Sequence, residues 1–249
     1  MNIVCSVFLA IIFSLSHGYA QKAKTDRDDD ELKGQVQKVV IEKAKLSKVG
    51  AEEFETRREL SEVVTYDNRG DRVRRETYDK EGLLETEVYG YEEGDRVVKT
   101  ELSAGGRERL GGIGPGPAPH SDLRYSIKFK YKYDSQGNRT EVARLRNNDR
   151  LTTRSVRRFD NQGNKIEESI YALNGSRIRK VSNLFDSHGN ITESSHDLAD
   201  DRFDSRYSYA YEFDAQGNWT KKVTSEWVTK DGKSTSRPYL ITYRTLTYF

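Results

Sequence analysis

Cysteine is all but missing from this chain: the 249 residues hold one, Cys5, near the amino terminus. With the leading segment removed, no thiol is left to form a disulfide, bind zinc or act as a nucleophile, so stability must come from packing. A domain of about 230 residues can bury a sufficient core without such staples. Long apolar runs are also scarce. The uncharged stretch from Ile3 to Leu15 falls short of the roughly 20 residues a membrane-spanning helix needs, and no later segment is long and apolar enough. An excess of one charge is lacking too, with 42 Lys+Arg against 40 Asp+Glu. That balance argues against a dedicated nucleic-acid binder, whose footprint is a basic excess gathered on one face. No segment shows a helical period.

What is present divides the chain into three parts. Residues 1–20 read as a secretory signal peptide, an apolar run closed by the small-x-small pattern Gly18-Tyr19-Ala20. The mature protein is then expected to be secreted, periplasmic or at the cell surface, with no membrane insertion after signal removal. Residues 21–33, which include Asp26-Arg27-Asp28-Asp29-Asp30-Glu31-Leu32, are too polar to offset the entropy cost of ordering and read as a flexible charged tether. Residues 34–249 read as one β domain, interrupted at 103–121 by a Gly/Pro-rich loop with Gly114-Pro115-Gly116-Pro117-Ala118-Pro119.

The strongest signal is a repeat. Tyr133-Asp134-Ser135-Gln136-Gly137-Asn138 recurs from Phe159 through Asp160 and Gly163 to Asn164, from Phe185 through Asp186 and Gly189 to Asn190, and from Phe213 through Asp214 and Gly217 to Asn218. The aromatic residues fall 26, 26 and 28 positions apart, and looser copies begin at Tyr66, Tyr78 and Tyr91, 12 and 13 apart. A full unit is therefore two strands and two turns. The spacing has a physical reason: the Asp carboxylate accepts from amides two residues on, the middle pair takes a type I turn, and Gly supplies the left-handed position that follows. Such a loop is closed by a G1 bulge. Weaker turn signals stand between the strong ones, at Asn147-Asn148-Asp149, Asn174-Gly175, Asp200-Asp201 and Asp231-Gly232.

The segments between turns alternate as strands do. Tyr125, Ile127, Phe129, Tyr131 and Tyr133 share one face, Tyr207, Tyr209, Tyr211 and Phe213 repeat the pattern, and Trp219, Val223 and Trp227 mark one face of the next strand. Open sheets beyond about ten strands curl, split or close. The expected fold is all-β, an antiparallel meander of tandem β-hairpins forming a strongly curved sheet, a partial spiral or an irregular open barrel, with the aromatic stripe on its concave side.

The units Tyr131-Lys132-Tyr133-Asp134-Ser135-Gln136-Gly137-Asn138 and Tyr211-Glu212-Phe213-Asp214-Ala215-Gln216-Gly217-Asn218 resemble the YD repeats of Rhs and teneurin-type proteins over roughly Val63 to Thr229. The resemblance implies hairpins wound into a β-spiral, which in large members forms a shell around a cargo domain, and an association with carbohydrate. This chain is too short for a shell of that kind and is more closely similar to small secreted bacterial YD-repeat proteins, which as a group imply no established activity.

The repeated aspartates could be read as calcium ligands, but each turn offers one carboxylate where calcium needs six or more oxygens, so turn capping is the expectation and no metal or cofactor is assigned. His120, His188 and His196 show no metal or catalytic spacing. The stripe of Tyr125, Phe129, Tyr131, Tyr207, Tyr209, Tyr211, Trp219 and Trp227 either packs as core, the default for large rings, or lies open as a platform for a sugar ring or an extended peptide. Arg144, Arg146, Arg150, Arg154, Arg157 and Arg158 form either a solvated strand face or a contact for an acidic polysaccharide. The expected function is non-enzymatic: a binding or scaffolding module of the cell envelope, with glycan or envelope protein as partner and no nucleic acid. The alternative is a carbohydrate-active enzyme with a carboxylate pair in the concavity.

Overall fold

A computed structural model describes residues 24–49, 52–92, 95–102, 125–146, 150–200, 202–231 and 233–249. The expected signal segment and the Gly/Pro stretch at 103–121 lie outside the described residues, as do Asn147-Asn148-Asp149, Asp201 and Gly232.

The described residues form one four-residue helix, α1 (Asp26–Asp29), and fifteen strands. The first half runs β1 (Val36–Val49), β2 (Glu52–Glu55), β3 (Glu59–Tyr66), β4 (Arg72–Asp79), β5 (Gly82–Glu92), β6 (Asp95–Leu102) and β7 (Tyr125–Tyr133). The second runs β8 (Arg139–Arg146), β9 (Arg150–Phe159), β10 (Lys165–Ala172), β11 (Arg177–Phe185), β12 (Ile191–Leu198), β13 (Phe203–Phe213), β14 (Trp219–Lys230) and β15 (Lys233–Tyr248). From β3 to β15 every strand pairs antiparallel with the next, which is the curved meander that the repeat predicts. β1 joins its two ends. Along one edge it pairs with β3, from Lys38 opposite Thr65 to Lys43 opposite Glu59; along the other it pairs with β15, from Val36 opposite Tyr248 to Lys45 opposite Leu240. Strand twist coils a sheet this wide, and pairing through β1 carries the curl round into a barrel-like ring. β2 stands apart, paired to the far end of β1 at Leu46 to Val49.

The turns explain the meander. In the turn at Asp160, one carboxylate oxygen accepts from the amides of Gln162 and Asn164 at 2.9 Å each, and the Asn164 side chain donates to the other at 2.9 Å. Gly163 follows at φ 83°, a region that a Cβ disfavours. The carboxylates of Asp134, Asp186 and Asp214 accept from the corresponding pair of amides in their own turns, with Gly137, Gly189 and Gly217 in the left-handed position. Beside each turn the strand register shifts by one residue, as between Lys132 and Tyr133 or Glu212 and Phe213. These are β-bulges, and each changes which side chains face inward.

In a meander, alternate connections lie at the same end, so all of these turns rim one mouth of the ring. Residues 24–33, expected as part of a flexible tether, are instead docked across that mouth. Thr25 caps α1 through a capping box with Asp28. The Lys24 amide donates to the Gly137 carbonyl at 3.1 Å, the Arg27 amide to Gly70 at 2.9 Å and the Lys24 ammonium to Gly163 at 3.1 Å. Asn218 grips Lys33 twice, accepting from its amide at 2.7 Å and donating to its carbonyl at 2.9 Å. The physical reason for the difference is long-range: the aspartates that look solvated in sequence meet arginines from distant strands, Arg139 lying 113 positions from Asp26. The apolar core is small and sits at the seam, where Leu32 of the docked segment packs with Val36, Val39, Val64 and Tyr66.

Candidate functional site

The inner face of the ring lines a half-open cavity of about 960 Å³. Its wall combines aromatic rings, among them Tyr89, Phe129, Tyr131 and Phe159, with cations from β4, β8, β9, β10 and β11 and with the acids of the docked segment. Strand alternation places these residues on one face; the bulges choose which. The residue directly after each turn faces inward at Arg72, Arg139, Lys165 and Ile191, all of which line the cavity. Trp219 holds the equivalent position on β14 and stacks against Arg244, 3.6 Å from guanidinium to ring centre.

Ion pairs organise the end nearest the turns. Arg139, 5% exposed, donates to Asp26 at 2.8 Å and to Asp29 at 2.9 Å. Arg72 pairs with Asp30, which also accepts from the Tyr66 hydroxyl. Arg157 bridges Asp29 at 3.6 Å and Glu168 at 2.9 Å, and Lys165 reaches the other oxygen of Glu168 at 3.0 Å. Burial would raise the Glu168 pKa, but Lys165 and Arg157 outweigh it and hold the carboxyl at about 2. Glu31 behaves oppositely. Burial raises its pKa above the ordinary value despite nearby Lys165, Arg244 and Lys222. Lys222 is in turn pushed down to about 8, by burial first and Arg244 second.

The aromatic stripe divides. Phe129 and Tyr131 line the cavity and stack with ring centres 6.4 Å apart. Tyr207, Tyr209 and Tyr211 lie on the same inner face of β13: Tyr207 meets the cavity residue His196 edge-on at 5.4 Å, and Tyr211 contacts both Tyr209 and Trp219. Trp227 differs from the sequence expectation that it shares a face with Trp219. It packs under Arg206 at 5.0 Å, and Arg206 pairs with Glu193 on the outer wall. The bulge beside Trp219, where Thr220 is the extra residue between Lys221 opposite Glu212 and Trp219 opposite Phe213, breaks the simple period of two. Tyr125 opens β7 opposite Thr100. Most of these inner rings are half-buried, which places them between core and open platform.

The arginine cluster divides as well. Arg144 and Arg157 line the cavity, whereas Arg158 is exposed and pairs with Glu167 at 3.5 Å, and Arg154 lies over Tyr171. Sequence reading passed over Arg72 and Arg139, and it placed the acids of the docked segment in a tether rather than in a site. The signal that could have found the first two is their place in the repeat, immediately after the turn.

The sequence matches no family model and no curated protein. Among solved structures, the chain is similar to a porin-like protein from Bacteroides uniformis ATCC 8492, at 9% identity and a TM-score of 0.46, over 85% of this chain and 98% of that one. It is also similar to a porin-like protein from Bacteroides vulgatus ATCC 8482, at 12% identity and a TM-score of 0.39, over 86% and 98%. A third similarity, to TcdB2-TccC3-TEV at 9% identity and a TM-score of 0.19, covers 79% of this chain and 14% of that one.

Proposed function

We propose that the protein is an exported, non-enzymatic receptacle that holds a glycan inside its ring of strands. The observation that carries this reading is the cavity itself: a half-open space of about 960 Å³ walled by aromatic rings, guanidinium groups and carboxylates. That size and that mixture of aromatic faces with many charged groups suit a small, strongly polar ligand. A folded protein partner could not enter it, which favours glycan over envelope protein. The outer wall supports an aqueous setting. It carries cross-strand ion pairs, Lys132 with Glu141 at 3.1 Å, Lys180 with Asp197 at 3.2 Å and Lys221 with Glu212 at 2.8 Å, where a membrane-embedded barrel needs an apolar band. Among the described residues no helix is long and apolar enough to cross a membrane.

A glycan array followed by titration calorimetry tests the reading. A saccharide hit whose affinity falls about tenfold, or about 1.4 kcal/mol, in Phe129→Ala supports it; a clean negative on saccharides removes it.

One feature favours a catalytic second reading. Glu31 and Glu168 both interact with Lys165, and their environments push their pKa values apart, the pattern of an acid paired with a base. Glu31 also sits at φ 58°, a costly conformation for a residue with a side chain. Oligosaccharide hydrolysis that disappears in Glu31→Gln would establish this reading; binding without turnover would exclude it.

A further inference from the structure

We infer that the ligand of the cavity carries an anionic group, a carboxylate or a sulfate on a sugar, held by Arg144 and Arg179; the inference rests on the glycan reading above. The wall shows how this ring treats carboxylates. Near the turns, Arg139 holds Asp26 and Asp29, and Arg72 holds Asp30, so each guanidinium there meets an acid of the docked segment. The other half of the cavity departs from that pattern. Arg144 lies five residues past Arg139 on β8, about 17 Å further along the strand. Arg179 lies on β11 at the end away from the Asp186 turn. Both line the same cavity and both are exposed. Among the described residues neither guanidinium has a carboxylate or hydrogen-bond partner, whereas the other lining arginines all do.

Two guanidinium groups without a carboxylate partner, facing the same half-open cavity, give that end of it a positive potential and favour an anion. Their planar donor forks match the geometry of carboxylate and sulfate oxygens. Neighbouring rings complete the site, with His196 on the cavity wall and Tyr207 edge-on to it. The result is a charged clamp beside an aromatic face, which is the chemistry that selects an acidic sugar over a neutral one.

Calorimetry on the purified protein with a neutral trisaccharide, a uronic-acid trisaccharide, a sulfated trisaccharide and inorganic sulfate tests the clamp. The expected result is at least about tenfold tighter binding of an acidic sugar than of the neutral one, with that preference lost in the Arg144→Gln/Arg179→Gln double variant. The two acidic probes show whether carboxylate or sulfate is preferred. Arg158→Gln, on the outer wall, should leave binding unchanged, and an unaltered melting temperature checks that the variants fold. Equal affinity for neutral and acidic sugars overturns the clamp and leaves the glycan reading standing. Sulfate binding that depends on both arginines, with no sugar bound, supports the clamp and overturns the glycan reading. No binding of any probe overturns both.

Discussion

Residue by residue, the repeated turn does two jobs, and a pair of glycines separates them. Gly163 and Gly175 both sit in the left-handed region, at φ 83° and 81°. A Cβ at Gly175 would meet nothing within 4 Å, whereas one at Gly163 would come within 3.2 Å of the Lys24 ammonium and 3.4 Å of the Asn138 side-chain oxygen. Backbone strain alone should therefore cost Gly175→Val about 1–2 kcal/mol. Gly163→Val should cost more, because it also displaces Lys24 from the Gly163 carbonyl. Urea midpoints of the two variants check this, and equal losses would show that the docked segment takes no support from that turn. The turn chemistry was legible in the sequence because Asp, Gly and Asn act on their own backbone within five residues. What Asn138 and Asn218 do beyond their turns was not, since their further contacts come from residues that adjoin them only after folding. Asn218, for example, receives the Lys33 amide from 185 positions away.

At the scale of elements, the same distinction decides which segments could be read. Strands β7 to β14 announced themselves by alternation and by flanking turns, both local signals. Residues 24–33 carried the composition of a disordered stretch, and composition was a poor guide because complementary charge outside the segment supplies what hydrophobicity does not. Arg139 is the centre of that compensation, 5% exposed and bonded to Asp26, itself 2% exposed. Removing one member of a buried ion pair strands the other, at a typical cost of about 3–5 kcal/mol, far more than the net worth of the intact pair. Arg139→Met should therefore lower stability by about 3 kcal/mol in urea unfolding and release the amides of residues 24–33 to hydrogen exchange. Arg139→Met/Asp26→Asn should recover part of the loss, because the second change removes the stranded charge. A single variant that unfolds at the wild-type midpoint would show that the segment is not anchored through Arg139. The face assignments failed for a related reason: each bulge moves the strand by one residue, and a period of two offers no warning of it. Hence Trp219 and Trp227 part company although eight positions separate them.

For the molecule as a whole, the question is how a curl becomes a ring. Twist and strand number bring the two ends of the meander near each other, but neither specifies which strand joins them. That role falls to β1, apolar on both faces at Val36, Val39, Val40 and Ile41, which suits a strand inserted between two others. The seam it makes holds the main apolar cluster, so closure and core formation are one event. The chain offers a direct test because it has almost no cysteine. Val40 and Thr245 are directly opposed across the β1–β15 seam. In a Cys5→Ser background, Val40→Cys/Thr245→Cys should form a disulfide under mild oxidation, detectable as a faster band on a non-reducing gel. The bond would close a loop of roughly 200 residues, for which the chain-entropy estimate is a gain of about 4 kcal/mol or more. An open meander, its ends apart, would leave both thiols free and the unfolding midpoint unmoved. Ligand retention depends on the same seam, since a ring that opens there loses the enclosure on which Arg144 and Arg179 rely; oxidising the pair should therefore slow release of a bound acidic sugar, and reducing it should restore the original rate.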